Sequence, residues 1–239
     1  MRPAISLEGI TRHHPGHDGS VVRALNGIDL TVPSGEFLAI VGPSGAGKSS
    51  LLNILGCLDR PTSGELRIND RLVSTMPSAT VADIRNAEIG FVFQSFNLIP
   101  ALTASGNVEL PMVYAGVGRR ERRARAGEAL DRVGLAAYTE RHPNQLSGGQ
   151  QQRVAVARAI INDPAFILAD EPTGNLDSES TEDVLGIIEE LHRTGSTVVL
   201  ITHEDDVAAR AERIVTMQDG RIASDERRHP ALTEQVGTR

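Results

Sequence analysis

Four short stretches of the chain are apolar almost throughout: residues 37–41, 89–93, 166–169 and 198–202. Runs of that length without alternation predict strands buried on both faces. Each run gives way to glycine or to polar residues: Gly42, Gln94, Asp170 with Glu171, and His203. In open parallel α/β sheets the ligand sits at the carboxyl ends of the strands, so these residues are expected to face one site. Helical periodicity appears after residue 48, where Leu51, Leu52, Ile54, Leu55 and Leu58 share one side and carry Cys57 with them. A second helix is expected from Ser147 to near Asn162, where Asp163-Pro164 disfavours continuation. A third, amphipathic, covers residues 181–191. Weak alternation at residues 5–9 predicts an edge strand. Residues 23–32 and 65–68 read as further antiparallel strands with short connections, and 214–217 with 221–222 as a hairpin about Asp219-Gly220. Residues 95–158 differ in character: apolar with Pro100 and Pro111 up to Tyr114, then rich in Arg, Ala and Glu. They predict a helical subdomain. The charged residues after Ser224 have no period and are expected to be poorly ordered.

Between the first buried strand and the first helix lies Gly42-Pro43-Ser44-Gly45-Ala46-Gly47-Lys48-Ser49, a G-x-x-x-x-G-K-S phosphate loop in its required context. Glycines let the backbone curl with its N–H groups pointing inward, at a helix N-terminus that favours anions. In such a loop the lysine reaches the β- and γ-phosphates and the hydroxyl of Ser49 ligates Mg²⁺. Composition supports it: Lys48 is the only lysine among 24 basic residues, the rest being arginine. A compact ammonium fits a tight backbone cradle where a planar guanidinium does not.

The length of 239 residues suits one large α/β domain or a core with a subdomain. A net charge of −7 and 3% aromatic residues disfavour a nucleic-acid surface. No apolar run approaches the roughly 20 residues that span a bilayer, and the first residues lack a secretory segment, so a cytoplasmic chain without direct membrane insertion is expected. The single cysteine, Cys57, agrees with a reducing compartment.

Leu146-Ser147-Gly148-Gly149-Gln150 has the S-x-x-Q spacing of a capping box, so N–H groups and two glycines should be exposed at a helix tip, forming a second anion site. The loop holding His13, His14, His17 and Asp18 reads either as a metal site, without fixed ligand spacing, or as the place where an imidazole stacks on a base. Arg119, Arg120, Arg122, Arg123 and Arg125 form the one basic cluster, either a solvated helix face with Glu121 and Glu128 or a docking surface for acidic lipid or protein.

With the phosphate loop, Gln94, the Leu146–Gln150 pentapeptide, Asp170-Glu171, Asn175-Leu176-Asp177 and His203 in order, residues 5–224 resemble the nucleotide-binding subunit of an ATP-binding-cassette (ABC) transporter. The segments 91–100, 107–112 and 170–177 look like its MacB/LolD branch, which serves lipoprotein release and macrolide or peptide export. The resemblance implies an α/β, P-loop NTPase (RecA-like) core with an N-terminal antiparallel β subdomain and an inserted α-helical subdomain. Its implied boundaries are 1–94 with 159–224 for the core, 95–158 for the helical part, and a disordered tail over 225–239. The implied ligands are ATP, on Gly42, Pro43, Ser44, Gly45, Ala46, Gly47, Lys48, Ser49 and Ser50, and Mg²⁺, on Ser49, Gln94 and, through water, Asp170. Glu171 would orient and polarise the attacking water. Gln94 would contact that water and sense the membrane partner, and His203 would contact the γ-phosphate. Two cassettes would pair head to tail, so that Ser147, Gly148, Gly149 and Gln150 of one cover the nucleotide of the other and Asp177 couples the two sites. The implied assembly is a homodimer bound to an integral membrane permease on the cytoplasmic face. A regulatory switch on envelope or cell-division enzymes, without cargo, is the alternative. His14 departs from the family pattern: an aromatic residue, often tyrosine, usually stacks on the adenine, and His13 or His17 takes the place if the alignment shifts.

Overall fold

The computed structural model describes residues 2–15 and 20–228. A six-stranded sheet carries the four buried runs. Its strands are β3 (Phe37–Val41), β6 (Ile89–Phe93), β7 (Phe166–Asp170), β8 (Val198–Ile201), β9 (Arg213–Gln218) and β10 (Arg221–Arg227), in the order β10-β9-β3-β8-β7-β6. All pair in parallel except β10, which closes a hairpin on β9. A second sheet, antiparallel, is ordered β2-β1-β4-β5, from β1 (Pro3–Pro15), β2 (Val21–Pro33), β4 (Ser63–Ile68) and β5 (Arg71–Leu72).

The continuous apolar runs are explained by what covers each face of the six-stranded sheet. With a side-chain period of two, Leu38, Ile40, Phe166, Leu168, Val199 and Ile201 point to one side. They pack there with helix α1 (Lys48–Leu55) and the inner face of the antiparallel sheet. Phe37, Ala39, Ile167, Ala169, Val198 and Leu200 point to the other side. There they meet α3 (Ala104–Tyr114), α4 (Arg119–Arg132), α5 (Gly148–Ile160) and α6 (Ser178–Arg193). Helices α2 (Ser78–Glu88) and α7 (Asp205–Ala208) and two single 3₁₀ turns, Ala136–Tyr138 and Pro143–Gln145, complete the described fold.

Several expectations change. Residues 5–9 are not an edge: β1 is the second strand of its sheet, bonded to β2 on one side and β4 on the other. The strand also runs on through Arg12, His13 and His14, which pair with Leu25, Arg23 and Val22 rather than lying in a loop. His17 and Asp18 fall outside the described residues. Helix α1 stops at Leu55, so Cys57 and Leu58 are not helical. At Gly56 a Cβ would lie 2.7 Å from the Phe91 ring, Cys57 turns left-handed (φ +53°), and Leu58 emerges half exposed. Burial pushes the Cys57 thiol up to about 11, only partly opposed by Arg85, so this cysteine is unreactive core. Helix α2 had no legible pattern because only Ile84 on it is buried. Residues 225–227, expected to be poorly ordered, are instead the end of β10, with Asp225 bonded twice to Arg213. Residues from 229 on lie outside the described residues. The arginine cluster is largely a paired helix face, with Arg122 on Glu109, Arg123 on Glu140, and Arg125 on Glu121 and the Ile161 carbonyl.

Candidate functional site

Strand register brings the site residues together. Phe93 pairs with Asp170, Asp170 with Ile201, and Ile201 with Ile40, so these four lie in one row across the sheet. Their next neighbours along the chain, Gln94, Glu171, Thr202 and Val41, therefore share the carboxyl edge. A cleft of about 1010 Å³ opens along that edge. Its walls are the phosphate loop with Ser49 and Ser50, then Asp170, Glu171, His203, and Val22 to Ala24 of β2.

The phosphate loop needs its glycines. Gly42 and Gly47 have φ of +150° and +100°, and Cβ atoms there would lie 2.3 Å from the Met217 carbonyl oxygen and 2.5 Å from that of Ala24. Lys48 Nζ donates to the Gly42 carbonyl (2.6 Å) and the Pro43 carbonyl (3.1 Å), so the ammonium is held across the loop mouth. No acidic side chain stands in the first turn of α1, which leaves its N–H groups free for an anion.

Glu171 is left-handed (φ +43°), an uncommon backbone state for a non-glycine residue that an active site can hold when the surroundings enforce it. Its N–H is fixed by the Ile201 carbonyl (2.8 Å), and its Oε1 lies 2.8 Å from His203 Nδ1. The carboxylate is thus aimed into the cleft with an imidazole beside it. Burial, and secondarily the charge of Glu171, raise the Asp170 pKa above the usual carboxylate range, against a smaller pull from Lys48. The ionised form is therefore disfavoured in the fold. This cost is absent below the unfolded-state pKa of about 4 and grows as pH rises through the folded value. Asp170→Asn should raise the melting temperature measured without nucleotide at pH 7, with the gain shrinking as pH falls toward about 4. An unchanged or lower melting temperature at pH 7 would contradict the sign.

Some expected site residues are elsewhere. Ser147, Gly148, Gly149, Gln150 and Asp177 are not on the cleft of their own chain. Ser147 and Gln150 do form the capping box at the start of α5, through Gln150 N–H to Ser147 Oγ (3.2 Å) and Ser147 N–H to Gln150 Oε1 (3.0 Å). Gly149, however, is buried rather than exposed at the tip: a Cβ there would meet Ser180 Oγ at 2.5 Å. Asp177 caps α6, accepting from Ser180 N–H at 2.8 Å, and that bond holds its pKa low. Gln94 is on the carboxyl edge but not among the cleft's lining residues, its amide packed on Gly174. His14 lies opposite Val22, on the same face of the β1–β2 ladder as a residue of the cleft wall. Among the described residues there is no three-residue His/Cys/Asp/Glu cluster suited to a metal. Sequence reasoning missed the β2 wall and the buried Gln152. The latter had a signal: with Gly149, Val156 and Ile160 it falls on the buried stripe of α5.

The sequence profile described as ABC transporter matches residues 25–174. The chain is 51% identical, over 98% of its length, to the macrolide export ATP-binding/permease protein MacB of Hyphomonas neptunium, and it spans 36% of that protein's length. It is 56% identical, over 86% of its length and 90% of the relative, to the uncharacterised ABC transporter ATP-binding protein YvrO of Bacillus subtilis. Its fold matches the ATP-binding cassette MJ0796, solved as a dimer in a post-hydrolysis state bound to ADP and phosphate, with TM-score 0.86 and 43% identity, covering 95% of this chain and 99% of that one. A phosphate loop, a carboxylate pair at a strand end and these likenesses lead to one conclusion: the chain belongs to the ABC transporter family and is an ATP-binding, ATP-hydrolysing cassette.

Proposed function

We propose that this cassette works as a head-to-tail homodimer that drives a membrane permease, in the manner of the export proteins it is similar to. The observation that carries this reading is the division of the site. The phosphate loop, Asp170, Glu171 and His203 share one cleft, while the capping box that presents Ser147 stands apart from it in the same chain. A second copy is the simplest source of the missing wall, and MJ0796 is a dimer. In this reading the core comprises residues 1–94 and 159–224, with the remainder of β10 to Arg227, and the helical subdomain 95–158. ATP lies along the loop from Gly42 to Ser50, with its base toward β2 and His14. Mg²⁺ suits the donor set, because Ser49 and Asp170 offer hard oxygens in one cleft and a cation would relieve the raised pKa of Asp170. Glu171 takes the role of orienting the attacking water, with His203 beside the γ-phosphate. Gln94 reports on the partner.

Among the described residues no helix is long and apolar enough to cross a membrane, so the reading places the permease on another chain or segment, with the cassette on the cytoplasmic face. A groove of about 630 Å³ between α2, β6, α3 and α5 suits it. Half-exposed Leu58 and exposed Tyr114 line this groove, together with Phe91 and Phe93, whose rings stack at 5.3 Å. Phe93 immediately precedes Gln94, so a partner seated there is one residue from the carboxyl edge. The alternative of a regulatory switch has no observation in its favour. The test uses the Glu171→Gln chain with Mg²⁺ and ATP, added to gently solubilised membranes of the source cell. ATP-dependent dimers that retain a membrane protein, and lose it with Leu58→Asp, are expected. A chain that stays monomeric with ATP, or retains no membrane protein, would sink the reading.

A further inference from the structure

We propose that Gln152 is a positioning residue for hydrolysis, holding the Gln94 and Glu171 segments in register with the helix that carries the Ser147 capping box. The inference rests on Glu171 being the group that orients the attacking water. Gln152 lies on α5, fully buried. Its Nε2 donates to the Phe93 carbonyl (3.2 Å) and to the Pro172 carbonyl (2.5 Å). Those carbonyls belong to the residue before Gln94 and the residue after Glu171. Its Oε1 has no partner among the described residues. A buried amide normally satisfies both of its ends. This one commits its donors to the two segments and leaves its acceptor unmatched, so the two carbonyls decide its position.

Other contacts make the three segments one bonded unit. From the same helix, Arg158 donates to the carbonyls of Phe96 (2.9 Å) and Asn97 (2.5 Å), and both of those residues are left-handed. Asn175 Nδ2 donates to the Gln94 carbonyl (3.0 Å), and Gly174 packs on the Gln94 amide. A rotation of α5, whose first turn includes Gly149 packed on Ser180, therefore moves Gln94 and Glu171 together. Glu171 is the more sensitive of the two. Its left-handed backbone is held by its own N–H to Ile201 (2.8 Å), by Gly174 N–H to its carbonyl (3.1 Å) and, one residue on, by Gln152 to Pro172; without the last, the segment that aims the carboxylate at His203 and the cleft is loosened on one side. An apolar residue of equal size would fill the space, leave the Pro172 carbonyl without its donor, and leave the Phe93 carbonyl with the Phe96 N–H (3.1 Å) alone.

The test compares the full chain with Gln152→Met and Gln152→Glu in steady-state ATP hydrolysis, alongside thermal melting. Gln152→Met should lower kcat about 10- to 100-fold, the scale of a small misplacement of a reacting group, while KM for ATP stays within about three-fold and the chain is folded at the assay temperature. Gln152→Glu should show a deficit that narrows as pH falls, because the protonated acid donates one of the two hydrogen bonds. In single-turnover assays Glu171→Gln with Gln152→Met should lose clearly less than the product of the two single losses, since much of the second change acts through a group already removed. Parent-like kcat in both Gln152 variants, or losses that multiply in the double variant, would overturn the proposal. Parent-like turnover of Glu171→Gln alone would instead overturn the Glu171 reading on which it rests.

Discussion

Glu171→Gln should cut ATP turnover by about 10²- to 10⁴-fold and leave ATP affinity within about three-fold of the parent. The substitution keeps the size of the side chain, so the phosphate loop and the strained backbone at this position (φ +43°) are unaffected. What is lost is an acceptor for the proton of an attacking water and the charge that holds it. The 2.8 Å contact to His203 Nδ1 survives in geometry, because an amide oxygen accepts as a carboxylate does. Phosphoryl transfer proceeds through a loose transition state in which positioning and charge balance outweigh covalent help, so the fall can lie at the low end of that range. Removing one of two neighbouring negative charges also relieves Asp170, whose pKa is raised in part by Glu171. Binding of Mg²⁺ and ATP should therefore not weaken through loss of structure. Phosphate release and nucleotide binding measured on the same preparation decide it, and turnover within about ten-fold of the parent would remove Glu171 from this role.

The second large effect is on stability. Arg213→Ala should destabilise the chain by about 3–5 kcal/mol, the usual cost of breaking a buried ion pair by removing one partner. Arg213 and Glu36 are both buried, and Arg213 Nη1 bonds Glu36 Oε2 at 3.0 Å and the Thr31 carbonyl at 2.8 Å. Without the guanidinium, Glu36 keeps, among the described residues, the ion pair with Arg227 at 2.9 Å, whose side chain is mostly exposed. The bidentate pair with Asp225 adds less because that carboxylate is more open to water. Its sign is nevertheless clear. Arg213 holds the Asp225 pKa below the usual carboxylate range, so this contribution is present above pH about 4 and is lost as pH falls through the folded value. The damage reaches the site, since Arg213 begins β9, whose Met217 carbonyl closes on Gly42. Urea unfolding of Arg213→Ala, Glu36→Gln and the double variant checks the argument. The double variant should recover part of the loss, whereas strict additivity would mean that the pair is not the cause.

The local chemistry of this protein was legible in its sequence. Phosphate-loop spacing, apolar runs ending in Gln94, Asp170-Glu171 and His203, and the Ser147–Gln150 capping box each depend on residues within about a turn or a strand of one another, and each signal was therefore read directly. The antiparallel sheet was recognised while its order was not. Residues 5–9 read as an edge because alternation reports burial of one face and carries no information about hydrogen-bond partners on either side. Helix α2 was missed because a helix with a single buried residue writes almost no period.

What the chain alone determined is thus the inventory: a phosphate-binding strand–loop–helix, an acidic strand end, a capped helix, and the family these imply. What the tertiary structure decided is adjacency. Parallel register places Phe93, Asp170, Ile201 and Ile40 in one row, and so aligns four strand ends that are far apart in sequence. Burial turned Gly149 from an exposed tip into a contact with Ser180, made Arg213 and Glu36 a buried pair, and placed the Gln152 amide between two loop carbonyls. Spacing signals come from bonds along the backbone, but a buried polar contact is defined by partners many residues away, and only the packed fold selects them.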